Sequence, residues 1–213
     1  MMEKRNNSNR RDNRKNRPEL DKLRDERPQR RKRVNVDRNT EVIVVNNEMW
    51  RFVYDNPKMQ TALDMEKHGD EDYITVGDLR VMLNSNRKIL EGFSLLITEV
   101  VGGEYELEDV LVYLGLDKKY DEYFSLSPEW KRGQVESSDV KEFILKSNAQ
   151  KFKHIMETVD SKLSKKIIET AVTLFKTGEF GDYQKMQVIR SYAGDDIFAD
   201  AEETEIDENV EII

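Results

Sequence analysis

The side chains of this sequence that could do chemistry are few and scattered. Asp70, Glu71 and Asp72 form an acidic run with Glu66 nearby, and carboxylate oxygens are ligands that Ca²⁺ and Mg²⁺ prefer. The run does not have the spacing of an EF-hand loop. We therefore expect a turn of solvated acids at this place and no metal site.

The other residue types argue against catalysis. His68 and His154 stand far apart with no Asp or Glu at ligand spacing, so we expect two surface histidines. The chain has no cysteine, which excludes disulfides and thiolate nucleophiles. Gly102 and Gly103 are not followed by the Lys-Ser/Thr pair of a phosphate-binding loop, and no hydrolase, kinase or dinucleotide motif occurs. We predict no catalytic residue, no cofactor and no metal, and hence no enzyme.

Charge is divided unevenly along the chain. Residues 1–40 hold 15 Lys and Arg against 7 Asp and Glu, whereas residues 41–213 hold 20 against 36. Nine acids and no base lie between Asp195 and Ile213. Such asymmetry is typical of electrostatic assembly. The acidic end has three interpretations: a mimic of nucleic acid, a ligand for a basic surface, or a solvated tail.

The first 40 residues are predicted to form a basic extended arm of the disordered type. Their few apolar side chains cannot offset the entropy of ordering the segment. Binding to an acidic protein surface, binding to nucleic acid and a plain solvated tail all stay open, although no aromatic ring is present to stack on bases. The candidate partner-binding residues are the clustered bases Arg10, Arg11, Arg14, Lys15, Arg30, Arg31, Lys32 and Arg33.

Strand patterns dominate the part that follows the arm. Residues 41–45 are a β-branched run and residues 49–54 alternate apolar and aromatic side chains. Asn46 and Asn47 between them predict the turn of a hairpin. Further strands are predicted near residues 61–66 and 93–97.

One helix is predicted among these strands. Thr75 is a candidate N-cap, with Asp78 three residues on, for a helix that continues to about Asn86. Because Trp50 and Phe52 occupy alternate positions of one predicted strand, we expect them to share a face and to pack against this helix.

The second half has helical periodicity. Residues 163–175 repeat apolar side chains at three- and four-residue spacing after Ser161, and Gly178 ends the pattern. Asp182 is a candidate cap for the next helix. Shorter amphipathic segments before them indicate a bundle of short helices.

The predicted fold class is therefore α+β. A small antiparallel sheet with one helix occupies about residues 41–101, and an α-helical bundle follows over about residues 105–193. As domains, we predict the basic arm at 1–40, the α+β domain at 41–103, the helical domain at 104–194 and the acidic tail at 195–213.

Several short stretches resemble proteins encoded among the virion genes of tailed bacteriophages. They are Val-Val-Asn-Asn at residues 44–47, Gly-Asp-Glu-Asp-Tyr-Ile-Thr-Val-Gly-Asp-Leu at 69–79 and Asn-Ser-Asn-Arg-Lys at 84–88. Residues 110–116, with Tyr-Leu-Gly-Leu, and the hinge between Gly178 and Asp182 fit the same group. The resemblance covers about residues 41–198 and transfers no active-site residue.

Two classes of function compete on these grounds. The resemblance implies a non-enzymatic structural or assembly protein of the virion, put together in the host cytoplasm. Its partners would be other virion proteins and copies of itself, with possible contact to nucleic acid through the arm. The alternative is a small nucleic-acid-binding or regulatory protein that acts on host or phage machinery. We expect no small-molecule substrate, and no membrane partner, because no apolar run approaches the roughly 18 residues of a membrane span.

Overall fold

The structure is a computed structural model that describes residues 34–128, 131 and 133–199. The strands are β1 (Glu41–Asn46), β2 (Phe52–Tyr54), β3 (Leu63–Met65), β4 (Glu71–Thr75) and β5 (Leu95–Val100). The helices are α1 (Val76–Asn86), α2 (Lys88–Glu91), α3 (Leu107–Leu114), α4 (Asp117–Phe124), α5 (Asp139–Lys146), α6 (Ala149–Thr158), α7 (Ser161–Lys176) and α8 (Tyr183–Ala193), followed by a 3-10 turn at Asp195–Phe198. The predicted α+β class is confirmed.

β1 is the central strand of a three-stranded antiparallel sheet with the order β4-β1-β5. Its residues Glu41 and Val45 pair with Thr75 and Glu71 of β4, and its other edge pairs with β5. Val42, Val44 and Val45 are all buried. Because neighbouring side chains of a strand point to opposite faces, burial of both Val44 and Val45 shows that the sheet is covered on both faces there. β2 and β3 form a separate two-stranded antiparallel sheet.

The predicted hairpin between residues 41–45 and 49–54 is wrong. The side chain of Asn47 turns inward and donates a 2.8 Å hydrogen bond to the carbonyl oxygen of Phe93, while that of Asn46 donates to the carbonyls of Trp50 and Lys67. Because of these bonds, the chain leaves the sheet after β1 and does not fold back to pair with it. The partners of β1 are strands distant in sequence.

The predicted positions of Trp50 and Phe52 are corrected in part. Trp50 precedes β2 and is 56% exposed, whereas Phe52 is buried opposite Met65 of β3. The two rings therefore do not share a buried face. Packing of Phe52 on α1 stays a prediction.

Local helix signals were more reliable than strand pairing. The Thr75 hydroxyl accepts a hydrogen bond from the Asp78 amide, and α1 ends at Asn86 as predicted. The Asp182 side chain caps α8, and Gly178 follows α7 with a φ of 72°. The cap of α7 is Asp160, whose carboxylate accepts from two backbone amides, and Ser161 is the first helical residue.

The helices of the second half share a core with the strands of the first. The amide of Ile97 in β5 donates a 2.7 Å hydrogen bond to the hydroxyl of the fully buried Tyr120 in α4. The rings of Phe93 and Tyr123 lie 5.1 Å apart. The described residues belong to one compact unit. The predicted division into two domains between residues 103 and 104 stays a prediction.

Residues on the N-terminal side of β1 also belong to this core. Val36 is buried, and the carbonyls of Arg38 and Thr40 accept hydrogen bonds from the Gly77 and Val76 amides at the start of α1. Residues 36–40 therefore belong to the folded body, although the sequence pattern placed them in the N-terminal arm. Within the described residues, no helix is long and apolar enough to cross a membrane.

We expect Phe52→Ala to lower the free energy of unfolding by about 3 kcal/mol, because a buried ring is lost and a cavity remains. Trp50→Ala should cost less than about 1 kcal/mol, since its ring is largely in solvent. Urea denaturation of both variants measures the difference. Equal losses for the two variants would contradict the assigned burial.

Candidate functional site

The eight predicted partner-binding residues all lie outside the described residues. They are Arg10, Arg11, Arg14, Lys15, Arg30, Arg31, Lys32 and Arg33. The structure does define where the chain that follows them joins the body. Val34 and Asn35 line a shallow pocket with Tyr113 and Gly115 at the end of α3. The basic segment therefore continues into a chain that is fixed against α1 and α3.

The acidic run at residues 66–72 spans the turn before β4 and the first residues of β4. The Asp70 carboxylate accepts from the Lys67 amide, and Asp72 accepts from the Tyr73 amide, so both serve the turn and strand backbone. Among residues 34–128, 131 and 133–199, no group of three or more His, Asp or Glu could hold a metal ion. His154 is exposed on α6.

His68 differs from the predicted surface histidine. It is half-buried, and burial lowers the pKa of its imidazole, as do the positive charges of Lys166 and Lys141. Hydrogen bonds to the backbone at Glu48 and Ser137 offset part of this lowering of the His68 pKa.

The most distinctive arrangement is a cavity lined by four lysines. It has a volume of about 390 Å³ and lies between α7, the chain that follows β1, and the link from α2 to β5. We call it the lysine cavity, and its lining residues are Glu48, Trp50, Lys88, Gly92, Ser94, Lys162, Lys165, Lys166 and Glu169. Because residues 34–199 carry 30 acids against 21 bases, this excess of lysine is a local reversal of the surrounding charge.

A buried ion pair forms the inner wall of the lysine cavity. The Lys166 ammonium lies 2.8 Å from the Glu48 carboxylate, and their side chains are 3% and 10% exposed. Burial lowers the pKa of Lys166, and the charge and hydrogen bond of Glu48 offset part of that shift. A pair of this kind stabilises the fold only while both partners are present.

The backbone around Glu48 is held by neighbouring polar groups. The Glu48 amide donates to the Asn46 side chain, and the Asn47 amide donates to the carbonyl of Ser94. Phe93, between two residues of the cavity wall, has a φ of 60°, which is rare outside glycine. Its buried ring and its bond from Asn47 hold it in that conformation.

Helix α7 arranges the remaining lysines by its periodicity. Residues at positions i, i+3, i+4 and i+7 lie on one face of a helix, which places Lys162, Lys165, Lys166 and Glu169 together. Lys162 pairs with Glu91, and Lys165 lies 3.4 Å from Glu169. Lys88 is exposed and forms no ion pair within the described part of the chain.

The lysine cavity was not predicted from the sequence. The prediction of α7 rested on its apolar stripe, although the three- and four-residue spacing of the lysines beside that stripe was a readable signal. Nothing local indicated that Glu48 would meet a lysine 118 residues away. Chemically, the cavity offers ammonium groups and an exposed indole, which suit a carboxylate-rich or phosphate-bearing ligand.

Comparison with known proteins finds no matching family model, no matching curated protein and no matching solved structure.

We expect Lys166→Met to lower the free energy of unfolding by about 3–5 kcal/mol, because it leaves Glu48 buried without a counter-charge. Adding Glu48→Gln should recover more than half of that loss. Lys165→Met is the matched control on the exposed side of α7 and should change stability by less than about 0.5 kcal/mol. A double variant as unstable as the single one, in urea melts at pH 7, would contradict the pairing.

Proposed function

We propose that this chain is a non-enzymatic structural or assembly protein of a tailed-phage particle. In this role its basic N-terminal segment binds acidic surfaces of neighbouring copies and of other virion proteins. One observation carries the proposal: residues 1–33 hold 14 bases against 6 acids, whereas residues 34–213 hold 21 against 37. Opposite charges on two parts of one chain favour head-to-tail contact between copies.

The way the chain enters the body supports the proposal. Val36 is buried and the carbonyls of Arg38 and Thr40 accept hydrogen bonds from the start of α1, so the basic cluster at residues 30–33 comes only a few residues before the body in sequence. A charged segment fixed at its base reaches a limited region of a neighbouring surface. Individual exposed ion pairs contribute up to about 1 kcal/mol each, so the contact depends on many of them together.

The cluster at the base of the segment tests the proposal. In a variant with Arg30, Arg31, Lys32 and Arg33 changed to Ala, we expect weaker self-association than in the wild type. Sedimentation velocity of the full chain over a salt series measures it, and wild-type association should fall as ionic strength rises because exposed charges are screened. A matched control changes Lys58, Lys118, Lys151 and Lys176 to Ala, which removes four exposed lysines from the body.

Two results would count against this function. If the wild type sediments as a monomer at every ionic strength, the proposed contact between copies does not form. Salt-dependent binding of duplex DNA by the wild type, lost in the four-residue variant while the protein stays monomeric, would favour the nucleic-acid-binding alternative.

A further inference from the structure

A groove on α7 lies next to the lysine cavity. It has a volume of about 680 Å³ and is lined by side chains of α6, α7 and α8 and by Ile197 of the 3-10 turn. Its apolar lining includes Met156, Val159 and Ile168. Lys165 and Glu169 line both the groove and the lysine cavity, so the two adjoin at this pair of side chains on α7.

The described chain ends beside this groove. Ile197 is part of its wall, and the last described residue is Ala199. Residues 200–213 contain seven acids and no base, together with Ile206, Val210, Ile212 and Ile213. Such a segment matches both linings, since its apolar side chains suit the groove and its carboxylates suit the lysine cavity.

We propose that residues 200–213 of the same chain bind along this face, with apolar side chains in the groove and carboxylates at Lys88 and Lys165 of the lysine cavity. Fourteen residues can span about 46 Å when extended, whereas the α7 face from Ser161 to Glu169 is about 12 Å long. The segment is therefore long enough to follow the groove and enter the cavity.

Weak contacts are sufficient for this binding. A tethered segment has an effective concentration of about a millimolar near its site, so low intrinsic affinity still fills it. Lys88 has no ion pair within the described residues, and the ammonium of Lys165 is largely in solvent at 3.4 Å from Glu169. Both ammonium groups are available to new carboxylates at little cost in desolvation.

Zero-length carbodiimide cross-linking of the full chain tests the proposal, because it joins a lysine amine only to a carboxylate in direct contact. The protein is a one-to-one mixture of ¹⁴N- and ¹⁵N-labelled chains, and mass spectrometry maps the products. We expect links from the acids of residues 200–211 to Lys88 and Lys165, about tenfold above links to the exposed Lys58 and Lys118. Each link should join two residues that carry the same nitrogen isotope, because the proposed contact lies within one chain.

Charge reversal on α7 supplies the matched comparison. Lys165→Glu should lower the yield of tail links at Lys88 several-fold, whereas Lys176→Glu, eleven residues further along the same helix, should leave it unchanged. Similar yields at all exposed lysines would overturn the proposal. Links that join ¹⁴N to ¹⁵N chains would also overturn it, since the segment would then bind another copy.

Discussion

The burial of the Glu48–Lys166 ion pair constrains much of this structure. Both charges lose hydration when the chain folds, and their attraction offsets that cost only if the geometry is held closely. The pair lies 2.8 Å apart and joins the chain that follows β1 to the middle of α7, across 118 residues of sequence. Because β1 is the central strand, its end must be placed accurately against the sheet and the helix at once. Asn46 and Asn47 provide that placement through buried hydrogen bonds.

The same pair shapes the surface around it. It sets Lys166 in the wall of a cavity whose other lysines belong to the adjacent turns of α7, within a body that carries more acids than bases. In the two proposals, the basic N-terminal segment and the acidic C-terminal segment each bind a surface of opposite charge. Both proposals therefore rest on contacts between a charged segment and a folded body.

The parts of the fold that depend on neighbours in sequence could be predicted. The bond from Asp78 to Thr75 and the cap at Asp182 lie within three residues, so the local pattern was sufficient for α1 and α8. The hairpin prediction failed because β1 pairs with β4 and β5, which are distant in sequence, and Val42, Val44 and Val45 are buried in that arrangement. Asn46 and Asn47 do not form a hairpin turn, since their side chains bond to backbone carbonyls. Trp50 looked like a core anchor by residue type, yet it stands at the rim of the lysine cavity. The spacing of the α7 lysines at that site was readable from the sequence, but the Glu48–Lys166 pair could not be predicted because its two charges are 118 residues apart.

The most direct test of the proposed assembly role is quantitative mass spectrometry of purified phage particles. The account predicts that the chain is present at a fixed copy number relative to the other particle proteins. That number should persist through repeated purification at low ionic strength. Absence of the chain from particles that are complete and infectious would contradict the account.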